Sequence, residues 1–227
     1  MNISVIIPAF NETTSIGKVI NAIPKDLVNE IIVVNNGSTD DTAQVAENAG
    51  ATVLMENRKG YGSACLCGIN YLAQKSQLVD VVVFIDGDYS DYPEQLPLLI
   101  NPIKNNNVDM VIGSRALGKR QSGSMMPQQI FGNWLATTLI KLLYGVTYTD
   151  LGPFRAIKFS RLLELDMKDT TYGWTVEMQV KAAKRKFFTT EVAVDYRQRI
   201  GVSKITGTVK GTILAGYKII TTIFLLR

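Results

Sequence analysis

The 227-residue chain contains no histidine, and this absence removes several kinds of active site at once. Without an imidazole the chain cannot form a Ser-His-Asp or Cys-His catalytic group, and it cannot bind a metal through histidine. There are only two cysteines, Cys65 and Cys67, and no second pair to complete a zinc site. We interpret both as reduced packing residues, which suits a protein of the cytoplasm.

Long hydrophobic runs are also missing. The most apolar stretch, residues 213–226, would span about 21 Å as a helix, short of the ~30 Å of a bilayer core, and Lys218 interrupts it. We therefore expect residues 211–227 to form an amphipathic helix that docks on an anionic membrane surface, with Trp134 and the segment 130–144 as its companion. The alternative is that both helices simply pack on the core.

Charge is unevenly distributed along the chain. Residues 1–114 carry 6 Lys and Arg against 13 Asp and Glu, a net charge of −7, whereas residues 115–227 carry 18 against 7, a net charge of +11. The basic second half predicts an anionic partner, such as phosphates, a membrane surface or nucleic acid. Nucleic-acid binding would explain the basic half but not the aspartates of the first half, so we expect no nucleic-acid partner.

Short apolar runs alternate with helical patterns through the first half of the chain. The runs are "ISVIIPA", "EIIVV", "ATVLM", "VDVVVFI" and "DMVIGS". Continuous Val and Ile runs are typical of strands buried on both faces, and strand–helix alternation implies parallel pairing. The sequence therefore predicts the α/β class, with a doubly wound, mostly parallel sheet that has helices on both faces. The N-terminal "MNISVIIPAF" lacks the basic flank of a signal peptide and is assigned to the first strand.

Ligands of such sheets bind beyond the carboxyl ends of the strands, so the polar residues after each apolar run are candidate site residues. "NNGSTDDT", after the second run, also fits an ordinary turn that caps the next helix. Asp86 and Asp88, after the fourth run, fit a turn less well, because two carboxylates one residue apart repel unless a cation offsets them. We predict Mg²⁺ or Mn²⁺ at this pair, with positions open for phosphate oxygens. Asp91 is assigned to the cap of the following helix.

Four motifs occur in order on the predicted elements: "VIIPAFNE", "VVNNGSTDDT", "KGYGSA" at the start of the third helix, and "DGD" after the fourth strand. Together they resemble the family 2 glycosyltransferases of the GT-A fold. In the second half, "GSRALGK", "TDLGPFRAI", "YGWTVEMQVKAA" and "YRQRIGVSKITGT" resemble the dolichyl- or polyprenyl-phosphate sugar synthases. The resemblance implies inverting transfer of a hexose from UDP-glucose or GDP-mannose to a polyprenyl phosphate, on the cytoplasmic face of a membrane. Both the nucleotide sugar and the lipid phosphate are thus expected partners.

The same resemblance implies how the chain is divided. Residues 1–210 would form the glycosyltransferase domain, with a nucleotide-sugar-binding half at 1–114 and an acceptor-binding half at 115–210. The amphipathic segment 211–227 would follow as a membrane-associated helix.

The resemblance assigns the donor site to Pro8, Phe10, Asn11, Glu12, Asn35, Asn36, Asp86, Gly87 and Asp88. Asp88, helped by Asp86, would hold the metal that neutralises the leaving diphosphate. Asn35 and Asn36 lie where relatives often carry aspartates, which leaves the preferred base open. Ser90 stands where some relatives have a glutamine that helps the metal, so water would complete the metal shell here.

The acceptor phosphate is assigned to Arg115, Arg197, Arg199, Ser203 and Lys204. Arg115 resembles the family's acceptor-phosphate arginine. Arg199 resembles the arginine of a loop that bridges donor and acceptor phosphates, and Arg197 is the alternative for that role. Arginine suits the role because its planar fork holds phosphate oxygens in pairs and never loses its charge. The resemblance thus makes Asp88, Arg115 and Arg199 the catalytic residues.

A general base is missing where most hydroxyl-transferring relatives have one. The matching region reads "GWTVEMQ", with Glu177 but no adjacent aspartate. A phosphate acceptor is ionised near pH 7 and needs no base, so the absence favours such an acceptor. Glu177 either orients a basic residue or is a buried carboxylate paired with an arginine. Two other functions stay open: a transferase with a soluble or protein-bound hydroxyl acceptor, and a sugar-nucleotide-binding module without activity.

Overall fold

The fold is seen in a computed structural model that describes residues 1–76, 78–201 and 209–227. The strands of these ranges are β1 (Ile3–Ala9), β2 (Glu30–Asn35), β3 (Thr52–Met55), β4 (Val81–Phe84), β5 (Met110–Ser114), β6 (Arg155–Lys158) and β7 (Thr189–Ala193). The helices are α1 (Ile16–Ala22), α2 (Thr42–Asn48), α3 (Tyr61–Ala73), α4 (Leu96–Asn106), α5 (Pro127–Tyr144), α6 (Phe159–Leu165), α7 (Trp174–Lys184) and α8 (Val209–Leu225). A short 3₁₀ turn, Pro93–Gln95, precedes α4.

The strands of the described ranges form one sheet in the order β3-β2-β1-β4-β6-β5-β7. Neighbouring strands pair in parallel except at β6, which runs antiparallel between β4 and β5. Each of the five apolar runs coincides with one of the first five strands to within two residues at each end, so the predicted mostly parallel α/β sheet is confirmed. The antiparallel strand β6 was not predicted.

Hydrophobic clusters cover both faces of the sheet. Along β1, Ile6 belongs to the cluster under α3, α5 and α7, whereas Val5 and Ile7 belong to the cluster under α1 and α4. This alternation follows from the two-residue repeat of a strand, which points successive side chains to opposite faces. The predicted helices on both faces are confirmed. Cys65 is buried in the first cluster and Cys67 is half-buried, and both thiols are free.

The predicted C-terminal helix is present as α8, and it lies beside α5 and α7. It buries Thr222 and Ile223, and the hydroxyl of Tyr144 on α5 donates to the carbonyl of Ile223 at 2.5 Å. Helices α5 and α8 also present exposed apolar side chains, which are Ile130, Phe131, Trp134, Leu142, Ile213, Leu214, Tyr217, Phe224 and Leu225. None of the helices in the described ranges has the length and hydropathy needed to span a bilayer.

The sheet brings the carboxyl ends of several strands to one edge. The last residue of β1, Ala9, is level with Asn35, the last residue of β2, and Phe84 of β4 is level with Ile6. Strand β5 runs in the same direction as β4, because each is antiparallel to β6. The loops that follow these four strands therefore meet at one place, together with the loop that leads into β6.

Candidate active site

A cavity of about 290 Å³ lies at this edge, and we call it the donor cavity. Its lining residues are Pro8, Ala9, Phe10, Glu12, Asn36, Lys59, Gly60, Tyr61, Ala64, Asp86, Gly87, Asp88, Tyr172 and Arg199. Most of the residues assigned to the donor site from sequence thus line the same cavity. Two of the lining residues, Tyr172 and Arg199, come from the second half of the chain.

Asn11 and Asn35 are assigned donor-site residues that do not line the donor cavity, and both hold the loops that follow β1 and β2. The side-chain oxygen of Asn11 accepts from the backbone N–H of Thr39 at 2.8 Å, and that of Asn35 accepts from the N–H of Ser38 at 3.0 Å. The backbone N–H of Asn11 in turn donates to the hydroxyl of Ser38 at 2.9 Å. The two bonds of Asn11 tie the loop after β1 to the loop after β2, whereas the bond of Asn35 lies within the second loop.

The side chain of Asn36 uses both ends of its amide. Its nitrogen donates to the carbonyls of Glu56 and Arg58, at 3.0 and 2.8 Å, and its oxygen accepts from the N–H of Gly60 at 2.7 Å. An aspartate has no donor and could not make the first two bonds. The asparagine at this position therefore has a structural reason, since it holds the segment that leads into α3.

Asp86 and Asp88 lie side by side at the end of β4. One oxygen of Asp88 accepts from the N–H and the hydroxyl of Ser90, at 2.9 and 2.5 Å, and the other lies 2.5 Å from Nη2 of Arg199. The hydroxyl of Tyr61 donates to Oδ1 of Asp86 at 3.0 Å. Burial, and then the charge of Asp88, raises the pKa of Asp86 to about 6, although Arg199 and Tyr61 oppose the shift.

These two carboxylates have the chemistry to hold a hard divalent cation, since oxygen ligands suit Mg²⁺ and Mn²⁺. A cation would also offset the repulsion that raises the pKa of Asp86. No group of three or more acidic or cysteine side chains in the described ranges is placed to hold a metal by itself. A metal at this pair would therefore need further oxygen ligands from water or from a bound diphosphate. Ser90, which stands where some relatives have a metal-helping glutamine, donates to Asp88 and orients that carboxylate.

Asp91 does not cap the next helix, and that prediction is wrong. The 3₁₀ turn begins at Pro93 without a side-chain cap, and Asp91 is 1% exposed. Neither of its carboxylate oxygens has a hydrogen-bond partner within the described part of the chain. Burial, and then the charge of Asp86, raises the pKa of Asp91 well above its ordinary value, although Arg115 opposes the shift. Sequence reasoning missed this buried carboxylate because an aspartate ahead of Tyr-Pro also fits a turn.

A second cavity of about 280 Å³ adjoins the donor cavity and shares Tyr61, Asp86, Tyr172 and Arg199 with it. We call it the acceptor cavity. Its other lining residues are Arg115, Met125, Gln128, Gln129, Gly132, Asn133, Leu151, Pro153, Trp174, Thr175, Tyr196, Ala215, Gly216 and Ile219. It thus runs from the aspartate pair to the walls formed by α5 and α8.

Arg115, assigned to the acceptor phosphate, is held by Asp150. The backbone N–H and Nε of Arg115 donate to Oδ2 of Asp150, and Nη2 donates to Oδ1, each at 2.8 Å. The guanidinium also lies 5.0 Å from the ring centroid of Tyr196. Burial alone would raise the pKa of Asp150, but the Arg115 pair holds it below its usual value. Asp150 was missed because its partner lies 35 residues away in the sequence.

Arg197 and Arg199 lie in different surroundings. The guanidinium of Arg197 donates to the carbonyls of Tyr89 and Asp91, at 2.7 and 2.9 Å, and it lies 3.5 Å from the ring centroid of Tyr89 and 4.1 Å from that of Tyr92. Arg197 therefore braces the turn that follows β4, whereas Arg199 lines both cavities. The assigned residues Ser203 and Lys204 lie outside the described residues.

The loop formed by residues 166–173 also reaches the site, and sequence reasoning gave it no role. It contributes Tyr172 to both cavities. The carbonyl of Thr170 accepts from the N–H of Ser63 at 3.0 Å, so the loop covers the first turn of α3. A Cβ at Gly60 would lie 2.1 Å from the carbonyl oxygen of Thr170, and one at Gly62 would lie 2.1 Å from that of Asp169. The glycines of "KGYGSA" are therefore required by a close backbone approach.

Glu177 fastens the same loop from the other side. It is 3% exposed, and it accepts from the backbone N–H groups of Lys168 and Asp169, at 2.9 and 2.7 Å. It also pairs with Lys181 at 2.7 Å. Glu177 is thus a buried carboxylate that pairs with a basic residue, and its partner is Lys181 and not an arginine.

The chain is similar to known glycosyltransferases. A family model described as "Glycosyl transferase family 2" matches residues 4–165. An uncharacterised glycosyltransferase of Mycobacterium tuberculosis is 34% identical over 215 residues, 94% of each chain. An undecaprenyl-phosphate mannosyltransferase of Micrococcus luteus is 28% identical over 226 residues, 93% of this chain and 90% of the relative.

Similar solved structures agree on the fold. One is glucosyl-3-phosphoglycerate synthase from Mycobacterium tuberculosis in complex with Mn²⁺, UDP-glucose and phosphoglyceric acid, with a TM-score of 0.77 and 24% identity over 99% of this chain and 79% of that chain. The likeness shows that the two chains share their fold. The family match over residues 4–165 and the relative that is 34% identical show the family: the chain belongs to glycosyltransferase family 2.

Proposed function

We propose that the protein transfers a hexose from UDP-glucose or GDP-mannose to a polyprenyl phosphate, with inversion at the anomeric carbon. The observation that carries the proposal is the meeting of Asp86, Asp88 and Arg199 at the junction of the donor and acceptor cavities, with Arg115 in the second. Two carboxylates can hold the cation that binds a diphosphate, and two arginines can bind the oxygens of an acceptor phosphate. The undecaprenyl-phosphate mannosyltransferase among the relatives supports the same acceptor.

On the donor side, the loops after β1, β2 and β4 would hold the nucleotide sugar in the donor cavity. Asp86 and Asp88 would hold Mg²⁺ or Mn²⁺, and when bound the cation supplies positive charge for the leaving diphosphate. The guanidinium of Arg199 adds a second positive charge near the diphosphate, since it forms an ion pair with Asp88. We assign the bridging role to Arg199 and not to Arg197, whose guanidinium is engaged by the Tyr89 and Asp91 carbonyls.

On the acceptor side, Arg115 would bind the acceptor phosphate. Its bonds to Asp150 fix the direction of the guanidinium before any ligand arrives, so little side-chain freedom is lost on binding. Among the described residues that line the acceptor cavity, the single carboxylate is Asp86. That residue is assigned to the metal, so the geometry suits a nucleophile that is already ionised and needs no proton acceptor.

A lipid acceptor requires contact with a membrane, and α5 and α8 offer a surface for it. The two helices lie side by side with exposed apolar side chains, and the acceptor cavity reaches their Gly132, Gly216 and Ile219. The net charge of +11 over residues 115–227 would attract an anionic leaflet. In this proposal the protein lies on the cytoplasmic face of the membrane, and the lipid phosphate enters between the two helices.

A small soluble acceptor is the second candidate. The polar side chains of Gln128, Gln129, Asn133 and Thr175 in the acceptor cavity favour it, since they could bind the hydroxyl or carboxylate groups of such a molecule. Glucosyl-3-phosphoglycerate synthase, which shares the fold, has been crystallised with phosphoglyceric acid. The same arginines would then serve a soluble phosphorylated compound.

The test is a transfer assay with radiolabelled UDP-glucose or GDP-mannose, Mn²⁺, and either undecaprenyl phosphate in detergent or 3-phosphoglycerate. We expect an organic-soluble product that releases the hexose in mild acid, and no such product from Asp88→Asn. Asp26→Asn, at an exposed position far from the cavities, is the matched control. Label that enters only a water-soluble product would favour the second candidate. Nucleotide binding without transfer to either acceptor would contradict both.

A further inference from the structure

Helix α8 is joined to the 166–173 loop by an ion pair. Nζ of Lys218 lies 2.9 Å from Oδ2 of Asp169, and the side chains are 43% and 6% exposed. A lysine in a mostly apolar helix would suit a membrane surface if it pointed outward. Here it turns toward the protein, while Leu214 and Tyr217 on the same helix remain exposed.

The other oxygen of Asp169 holds the loop itself. Oδ1 accepts from the N–H of Thr171 at 2.7 Å, from its hydroxyl at 3.2 Å and from the N–H of Gly173 at 3.2 Å. One carboxylate thus fixes the turn of the loop and attaches it to α8. The carboxylate of Asp169 is tightly packed against the end of the loop, because a Cβ at Gly173 would lie 2.5 Å from Oδ2 of Asp169.

The loop then contacts the first turn of α3. The carbonyl of Thr170 accepts from the N–H of Ser63 at 3.0 Å, and that of Thr171 accepts from the N–H of Gly62 at 3.3 Å. Next to these residues, the hydroxyl of Tyr61 donates to Asp86 at 3.0 Å. In the same loop, Tyr172 lines both cavities.

A continuous set of contacts therefore leads from α8 to the aspartate pair. We propose that Asp169 is a positioning residue of the donor site and that Lys218 makes this positioning depend on the packing of α8. Binding of the nucleotide and packing of α8 then favour each other, because a coupling between two equilibria acts in both directions. The inference rests on the proposed donor site at Asp86 and Asp88, and it adds that a membrane or acceptor that moves α8 changes donor affinity.

The experiment measures UDP and GDP binding in the presence of Mn²⁺ by calorimetry for the full chain and its variants. Lys218→Met removes the charge but keeps much of the stem. Asp169→Asn keeps an oxygen for Thr171 and Gly173 while removing the ion pair. We expect each to raise the Kd of the nucleotide about fivefold or more. Lys218→Arg, which retains the charge, should stay within about twofold of the wild type.

Lys168→Met is the matched control, because Lys168 pairs with Asp166 in the same loop but both side chains are largely exposed. It should leave the Kd unchanged. A lowered Tm with an unchanged nucleotide Kd in Lys218→Met and Asp169→Asn would show a purely structural pair and overturn the inference. If the wild-type protein binds neither nucleotide with Mn²⁺, the proposed donor site itself is wrong. This result concerns the wild type alone, so it is distinguishable from a failure of the Asp169–Lys218 inference, which shows only in the variants.

Discussion

The guanidinium of Arg199 lies 2.5 Å from Oδ2 of Asp88, the carboxylate that we propose as a metal ligand. The other oxygen of Asp88 already accepts two bonds from Ser90. If Asp88 helped to hold a metal, the guanidinium of Arg199 would have to share or leave that carboxylate, and it would then be available to phosphate oxygens in either cavity. In the proposed site, metal binding and phosphate binding by Arg199 would thus be linked through the carboxylate of Asp88.

Replacing Arg199 by glutamine should separate these two effects. Without the competing guanidinium, Arg199→Gln is expected to bind Mn²⁺ more tightly in the absence of nucleotide. Its kcat should nevertheless fall about 100-fold, because the positive charge of the guanidinium beside the leaving diphosphate is lost. Calorimetry with Mn²⁺ and the transfer assay provide the two measurements. Arg161→Gln, on α6, is the control, and weaker Mn²⁺ binding by Arg199→Gln would contradict the proposed competition.

Metal affinity should depend on pH through Asp86, whose pKa is raised to about 6 by burial and by Asp88. The metal needs the ionised carboxylate, so protons compete with it at acid pH. We expect Mn²⁺ affinity to be level above about pH 7 and to decrease roughly tenfold per unit below about pH 6. Tyr61→Phe removes a bond that favours the ionised form, so its midpoint should lie at higher pH. Affinity that stays constant from pH 5 to 8 would be incompatible with Asp86 as a ligand.

Asp91 should limit the stability of the fold at neutral pH. Its pKa is raised in the folded state, so the folded protein retains a proton that the unfolded chain loses above about pH 4. The contribution of Asp91 to the free energy of unfolding is therefore largest at acid pH and decreases as the pH rises toward the folded-state pKa. An asparagine at this position cannot ionise, so the free energy of unfolding of Asp91→Asn should rise relative to that of the wild type from pH 5 to pH 8, by about 1.4 kcal/mol for each pH unit over which only the folded wild type keeps the proton. Urea titrations of both proteins at the two pH values measure this, and a difference that does not change with pH would contradict it.

The pair formed by Arg115 and Asp150 should be costly to break from one side. Asp150→Asn leaves a buried guanidinium without its counter-charge, which typically costs about 3–5 kcal/mol. The double variant Arg115→Met with Asp150→Asn should lose less stability than the sum of the single changes, since neither charge is then left alone. Denaturant unfolding of the three variants tests this relation. Strictly additive losses would mean that the pair does not stabilise the fold as a unit.

The sequence predicts those parts of the fold that depend on local pattern. Continuous Val and Ile runs mark β1 to β5, and parallel order places their polar ends at one edge. Strand β6 was not predicted because it begins with Arg155, and an arginine in a hydrophobicity pattern indicates an exposed position. In the structure Arg155 is completely buried, and its guanidinium donates to the carbonyls of Leu151 and Thr175. Burial of a charge is decided by distant partners, which no local pattern contains.

The candidate site, too, was predictable only where local sequence carries the information. The sequence predicted Asp86 and Asp88 at the edge of the sheet because they follow an apolar run, and the family resemblance assigned Arg199 to a loop that binds phosphates. The partners that orient the site residues lie far away in sequence, as with Asp150 and the 166–173 loop. Asp91 was misjudged because a capping aspartate and a buried one look alike ahead of a helix. What the motifs supply is the chemistry of the site, whereas its orientation comes from tertiary contacts.

Strand β6 lies between β4 and β5, although both of its neighbours precede residue 115 in the chain. Neither half, as divided by charge, can complete the sheet alone: residues 1–114 leave a gap, and residues 115–227 supply the strand that fills it. A ribosome-bound chain therefore cannot place β6 between β4 and β5 until residue 158 has emerged, and β7 can pair with β5 only after residue 193 has followed. Two separately expressed fragments cut near residue 122 should likewise be inactive alone and regain activity when they are refolded together.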